Sequence, residues 1–222
     1  MIDSIQTFGD SFLFGSELND SDSITKFSKK TWPALIADRL NLNYECYAMG
    51  GVGNTNIAFN VLKYARQNCL VVINWSWVDR YDYFDTTQKH WDQTLSPHVD
   101  NNISKFYYQY IYSDLGAIFS SLIYIFSTHS WLKNKNIEFV STFMDKNITN
   151  NDWTTPFIKE LQDQLVNDLK TFPNNQTFLE WSRANGYPEG KGWHPLEQAH
   201  EEAANYWQPI YEKEISKHIT TK

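Results

Sequence analysis

Apolar positions recur with two different spacings along the chain, and together they lay out a series of strands and helices. Residues 2–8 form a short strand-like run. The next segment, residues 14–30, is polar and rich in Ser and Asp, which suggests a loop. Helical spacing then appears at Trp32, Leu35, Ile36 and Leu40, with Pro33 tolerated in the first turn. Residues 44–49 read as a second strand ending in Gly50-Gly51-Val52-Gly53. A helix over about 54–67 follows, with Ile57, Val61, Leu62 and Ala65 on one face, so strand, glycine turn and helix make a βα unit. Residues 70–73, Leu-Val-Val-Ile, are apolar without alternation, as expected for a strand covered on both faces of a parallel sheet. This is the expected central strand.

The stretch 74–102 is long and irregular and carries many Trp, Tyr, Asp and His residues, a composition that favours a functional loop. A helical region over about 104–134 leads to a fourth strand at 137–141. Helix spacing returns over 156–169 at Ile158, Leu161, Leu165 and Leu169, residues 177–179 read as a short fifth strand, and a last helix opens at Pro195 and runs to about residue 218. Alternating strands and helices predict a three-layer α/β/α sandwich, a flavodoxin-like doubly wound five-stranded parallel sheet, in one domain spanning 1–222.

At 222 residues with 41% hydrophobic content the chain is long enough for one good core. A net charge of −7 supplies no Lys/Arg stripe for phosphate neutralisation, so no nucleic-acid partner is expected. Cys46 and Cys69 each lie in or beside an apolar run and read as buried thiols. No basic segment followed by an apolar one opens the sequence, so the expected location is cytoplasmic. The most apolar helical stretch, 115–126, contains Ser120 and Ser121 and is well short of the ~20 residues that span a bilayer, so a buried helix is expected and no membrane partner. The sequence leaves the oligomeric state open.

Two short strings carry candidate chemistry. Gly9-Asp10-Ser11-Phe12 follows the first strand, and the carboxyl end of a parallel sheet is where such sheets bind ligands. Gly192-Trp193-His194-Pro195 precedes the last helix. Proline disfavours the α region for the residue before it, so His194 is expected to be extended, with Pro195 in the first helical position. A serine hydroxyl is a weak nucleophile that needs a base within hydrogen-bond reach, and an imidazole suits that task near neutral pH.

On these strings the chain resembles the SGNH (GDSL-type) hydrolases, over nearly its whole length. Block I of that family matches Gly9-Asp10-Ser11-Phe12, block II matches Gly53-Asn54-Thr55, and block V matches His194-Pro195. The resemblance implies a serine hydrolase cleaving carboxylic esters through an acyl-enzyme, and the aromatic stretch 74–102 favours small acyl groups on glycans over long lipids. In this resemblance Ser11 is the nucleophile, His194 the base, and the N–H groups of Ser11 and Gly53 oxyanion donors. It implies no metal and no organic cofactor.

Two positions depart from the family pattern. Lys191 stands where block V has its Asp, so the usual partner of the histidine is missing; Glu189, nearest in sequence, and Glu180 or Asp145 are candidate replacements, beside a bare Ser–His dyad. Block III is replaced by Asn74-Trp75-Ser76-Trp77, which leaves Asn74 or Ser76 as third oxyanion donor. Losing one such donor costs about 10²–10³ in rate and losing the acid about 10⁴. Trp75, Trp77 and Arg80 are candidate substrate-binding residues, though aromatics here equally serve packing and Arg80 equally serves an ion-pair set with Asp82 and Asp85. Asp10 is expected to support the turn. His200 lies six positions after His194, a spacing that does not set two metal ligands on one helical face, and is expected to be structural; His90, His98 and His129 have no partner pattern. The altered blocks also motivate a different class, a catalytically degenerate binding protein for a sugar or acyl ligand. A nucleotide-binding module is weaker, because the first strand-to-helix loop lacks the glycines that cradle phosphate.

Overall fold

The computed structural model describes residues 2–22, 25–85, 90–150 and 155–217. Strands β1 (Ser4–Gly9), β2 (Asn43–Cys46), β3 (Cys69–Trp75) and β6 (Phe139–Phe143) form one parallel sheet in the order β2-β1-β3-β6. The apolar run 70–73 lies inside β3, which is buried along its whole length. Its side chains alternate between two cores: Leu70 and Val72 face one, Val71, Ile73 and Trp75 the other. Helices α2 (Trp32–Arg39) and α8 (Glu197–Ser216) pack together over the first face. Helices α3 (Asn54–Tyr64), α5 (Asp114–Asn134) and α6 (Pro156–Leu165) cover the second. The three-layer α/β/α architecture is the one expected.

The sheet has four strands among the described residues, not five. Residues 177–179, expected as the fifth, instead open helix α7 (Phe178–Ala184). Thr177 accepts from Glu180 N–H while the Glu180 carboxylate accepts from Thr177 N–H, a capping box that commits this segment to a helix. Beyond β6 the sheet continues, among the described residues, as one parallel bridge, Ser141 to Leu169, with Lys170 N–H donating to Ser141 O at 2.7 Å.

The stretch after β3 holds an antiparallel hairpin, β4 (Tyr81–Asp85) and β5 (His90–Leu95). The region 104–134 divides into α4 (Asn102–Tyr110) and α5, because Ser113 caps α5 by accepting from Gly116 N–H. At 21 residues α5 is longer than the apolar stretch 115–126 suggested, and it is long and apolar enough to cross a bilayer by length and composition. In this fold Ile118, Leu122, Ile125 and Leu132 are buried in the second core. Both cysteines are free, Cys69 buried and Cys46 partly so.

Candidate active site

The nucleophile candidate is presented by the end of β1. Asp10 caps a four-residue helical turn, α1 (Ser11–Phe14), by accepting from Phe12 N–H at 3.1 Å, and Gly15 closes that turn in the left-handed region. Asp10 thus supports the turn. Ser11, 6% exposed, opens onto a cavity of about 580 Å³.

His194 comes to the same cavity on a small hairpin. Glu189 and Pro195 form an antiparallel bridge, Gly190 N–H donates to His194 O at 2.8 Å, and Leu196 N–H donates to Pro188 O at 3.0 Å. Pro195 therefore lies in this hairpin and α8 starts at Glu197, two positions later than expected. The imidazole packs on Phe12, ring centroids 5.2 Å apart. Ser11 Oγ lies 2.8 Å from His194 Nε2, across 183 positions of sequence.

Behind the ring stands Glu17. Its Oε2 is 2.7 Å from His194 Nδ1, and both carboxylate oxygens lie 2.9 Å from Gly192 N. An anionic carboxylate only accepts, so Nδ1 carries the proton and Nε2 is left to accept from Ser11. Desolvation works to raise the Glu17 pKa, but the bonds from Gly192 N–H and His194 outweigh it and lower it, so the group is anionic at neutral pH. Glycine makes room for it: a Cβ on Gly190 would lie 2.6 Å from Glu17 Oε2, and one on Gly192 would lie 2.9 Å from it. Glu17 and Trp193 both adopt left-handed backbone, φ 68° and 66°, where side-chain-bearing residues are uncommon. Such strain persists where the surroundings hold it, and it clusters at functional sites.

Glu17 is not among the carboxylates singled out from sequence. Glu189 is turned away and pairs with Arg183 at 2.7 Å; Glu180 is spent on the α7 cap and Lys146; Asp145 accepts from Val78 and Asn147 N–H. The signal in sequence is slight: Glu17 belongs to the polar, Ser- and Asp-rich segment 14–30, whose path no local pattern reveals. Lys191, at the family's acid position, occupies the hairpin turn and is exposed.

The oxyanion candidates are arranged differently from expectation. The Ser11 N–H has no acceptor among the described residues, but Gly53 N–H donates to Asp82 Oδ1 at 2.7 Å. Asp82 also accepts from Asn56 N–H at 2.8 Å and so caps α3 from the hairpin. Its burial raises its pKa against the opposing bonds from Thr94, Asn56 and Gly53. Asn74 is buried away from the cavity, its Oδ1 accepting from Thr142 Oγ at 2.8 Å. Ser76 N–H donates to Asn54 Oδ1 at 2.8 Å, and Ser76 Oγ donates to Asp10 Oδ2 at 3.3 Å.

Trp75, expected to bind substrate, is fully buried and donates to Ser141 Oγ at 2.8 Å, so it is a core residue. Trp77 and Arg80 do line the cavity, with the guanidinium 4.8 Å from the indole ring, and Trp193 and His98 line it as well. Arg80 pairs with Asp10 at 3.4 Å, not with Asp82. The side chains of Asp85, His90 and Trp91 lie outside the described residues. His200 is buried, accepts from Trp32 N–H at 3.3 Å and stacks on Trp32, a structural role. His129, without a partner pattern in sequence, is buried 2.9 Å from Ser141 Oγ and 3.7 Å from Asp168.

No protein-family model matches the chain, and no curated protein sequence matches it significantly. Solved structures do. The chain is similar to TesA, at 13% identity with a TM-score of 0.54 over 95% of this chain and 99% of that one. It is similar to the psychrotrophic esterase EstA from Pseudoalteromonas sp., at 9% identity with a TM-score of 0.53 over 95% and 97%. It is also similar to the acetyl xylan esterase Est2A from the rumen bacterium Butyrivibrio proteoclasticus, at 10% identity with a TM-score of 0.51 over 96% of this chain but 64% of that one. At such identities the likeness is one of architecture: the chain has the fold of the SGNH (GDSL-type) hydrolases.

Proposed function

We propose that the protein is a serine hydrolase that cleaves carboxylic esters through an acyl-enzyme. One observation carries the reading: the hydrogen-bond chain Ser11 Oγ to His194 Nε2 at 2.8 Å and His194 Nδ1 to Glu17 Oε2 at 2.7 Å, at the wall of a cavity. Nucleophile, base and orienting acid within hydrogen-bond reach is the geometry that activates a serine. Ser11 Oγ attacks the ester carbonyl as His194 Nε2 takes its proton, and Glu17 holds the imidazole in the required tautomer and stabilises the imidazolium. Collapse of the tetrahedral intermediate breaks the bond to the alcohol, which leaves with the proton from His194. Water then attacks the acyl-Ser11 ester by the same path, releasing the acid and restoring Ser11. No metal or organic cofactor enters these steps.

The substrate class we favour is a small acyl group on a glycan. The exposed Trp193 and the cavity-lining Trp77 offer aromatic faces of the kind that stack on sugar rings, and one structural neighbour is an acetyl xylan esterase. The test is hydrolysis of a short-chain aryl ester and of an acetylated xylan, with fluorophosphonate labelling, for wild type, Ser11→Ala and His194→Ala. Turnover and labelling that both variants lose are expected; wild type that is neither active nor labelled removes the hypothesis.

A second reading, a binding protein for a sugar or acyl ligand without turnover, draws on the prior engagement of Gly53 N–H and Ser76 N–H and on the burial of Asn74. It predicts saturable oligosaccharide binding, lost in Trp77→Ala, with no ester cleavage.

A further inference from the structure

The hydrolase reading requires charge stabilisation where the tetrahedral oxygen develops, and three of the donors expected there are unavailable. Gly53 N–H and Ser76 N–H donate to Asp82 and Asn54, and Asn74 is buried off the cavity. In the gap stands Arg80. One guanidinium nitrogen, Nη1, lies 2.8 Å from Ser76 Oγ, 3.1 Å from Val52 O and 3.4 Å from Asp10 Oδ2. These three partners flank the third, second and first sheet-edge segments that the sequence motifs mark, so the guanidinium sits where those segments converge. Asp10 is the neighbour of Ser11, Val52 the neighbour of Gly53, and Ser76 the residue aligned with the missing donor. The remaining guanidinium N–H groups of Arg80 have no partner among the described residues, and the side chain lines the same cavity as Ser11 and His194. Trp77 stacks on the guanidinium and Asp10 anchors it by charge, so its position is fixed before substrate arrives.

We infer that Arg80 is a catalytic residue of this site, its guanidinium donating with Ser11 N–H to the oxyanion in place of the glycine and asparagine donors. The inference rests on the hydrolase reading. When Ser11 Oγ bonds to the carbonyl carbon, the carbonyl π pair moves onto oxygen, the Ser11 proton moves to His194, and Arg80 contributes hydrogen bonds and positive charge without giving up a proton. A preorganised cationic donor strengthens as the oxygen becomes anionic, which lowers the barrier more than it tightens the ester ground state.

The experiment measures kcat and KM on a neutral short-chain aryl ester and the rate of fluorophosphonate labelling for wild type, Arg80→Gln and Arg80→Ala. Expected is a fall of about 10²–10³ in kcat and a parallel fall in labelling, with KM changed less than about threefold. Added guanidinium ion restores part of the Arg80→Ala rate and none of the Ser11→Ala rate. Because these variants strand the buried Asp10 carboxylate, Asp10→Asn/Arg80→Gln is compared with Asp10→Asn alone; Asn still caps α1, and the same fall in kcat is expected between the two. Variants that keep kcat within about threefold of their parent overturn the role while leaving the hydrolase reading in place. So does a loss confined to KM for esters bearing a carboxylate, which would make Arg80 a reader of substrate charge. Wild type with neither turnover nor labelling overturns both.

Discussion

Gly190→Ala tests the Glu17 acid without touching Glu17. Gly190 is not among the residues with positive φ, so its backbone accepts alanine. The new Cβ would lie 2.6 Å from both Cδ and Oε2 of Glu17 and 2.8 Å from Oε1. Carbon atoms pack at about 3.5 Å or more, so the carboxylate must retreat by roughly 0.9 Å from the 2.6 Å approach. That retreat stretches the 2.7 Å contact with His194 Nδ1 to about 3.6 Å, where a side-chain hydrogen bond is no longer made. The obstructed atoms are the far end of a flexible side chain that is partly exposed, so the cost to folding is about 1 kcal/mol or less. The cost to catalysis is much larger. Complete loss of the acid in a serine triad lowers kcat about 10⁴-fold; a carboxylate displaced but still nearby is expected to forfeit about 10²–10³. The assay is kcat on a short-chain aryl ester beside a thermal melt, for Gly190→Ala, Glu17→Ala and the double variant. Since the alanine acts through Glu17, adding it to Glu17→Ala changes kcat by less than about threefold. Wild-type kcat in Gly190→Ala beside a crippled Glu17→Ala, or an equal drop in both backgrounds, refutes the reasoning.

Four more outcomes follow from the same geometry. Glu17→Gln keeps an acceptor for Gly192 N–H but turns an amide N–H₂ toward His194 Nδ1, which reverses the imidazole tautomer; kcat falls about 10³–10⁴-fold while the melting temperature stays near wild type. Burial lowers the His200 pKa from 6.5 to about 3, with His194 adding to the effect, so the unfolded chain binds the proton first as pH falls. The stability from keeping this ring neutral is present above pH 6.5, and about 2 kcal/mol of it is gone at about pH 5, read as a urea midpoint that falls less in His200→Gln; buried His129, also lowered, acts in the same direction. Asp82→Ala strips the acceptor from Gly53 and Asn56 N–H and lowers stability by about 2–4 kcal/mol, measured by denaturant titration. Trp193→Gly relieves the left-handed strain and adds about 1 kcal/mol of stability, while KM for an acylated glycan rises and kcat on a small aryl ester is kept.

How much of this was legible in the sequence depended on whether the signal was local. The apolar run 70–73 has a local cause, burial on both faces, and β3 contains it. The pairing of His194 with Ser11 was legible from the His194-Pro195 string and the strand end at Gly9, and the structure brings the two within 2.8 Å. The expected strand at 177–179 gives way to helix α7 for an equally local reason: its apolar residues suit a strand, but the Thr177 and Glu180 capping box commits the segment to a helix. Other features depend on contacts between distant segments. The preference for Glu189 as acid rested on nearness in sequence, yet a residue on a hairpin arm points according to the bridge it makes, and Glu189 faces Arg183. Trp75 and Trp77 are two apart, a spacing that would put both on one face of a continuous strand, but β3 ends at Trp75, so Trp75 is buried in the core while Trp77, beyond the strand, lines the cavity. The capture of Gly53 N–H by Asp82 depends on how the β4–β5 hairpin folds back over α3, which no spacing encodes.

Placing the carboxylate on the segment after Ser11 changes what the fold has to hold together. In the family pattern the acid and histidine share one loop, so their mutual geometry survives movement of that loop relative to the nucleophile. Here serine and acid share a segment: Gly15 and Ser16 N–H both donate to Ser11 O, at 2.9 and 3.0 Å, and buried Leu18 anchors the chain just beyond Glu17. Their separation is therefore set by one turn of backbone. The histidine hairpin docks against this unit through the Glu17 carboxylate, which accepts from Gly192 N–H and lies against His194 Nδ1, and Asn19 N–H reaches across to Glu197 Oε1 at 2.9 Å. One carboxylate thus joins the hairpin to the nucleophile segment and orients the imidazole in the same contact. That double duty accounts for the two glycines beside the histidine: with no side chain at 190 or 192, the hairpin backbone can close on the carboxylate itself. It also explains how Lys191 is tolerated at the family's acid position. Once the acid arrives from the other segment, position 191 lies in an exposed turn, where a lysine side chain is accommodated.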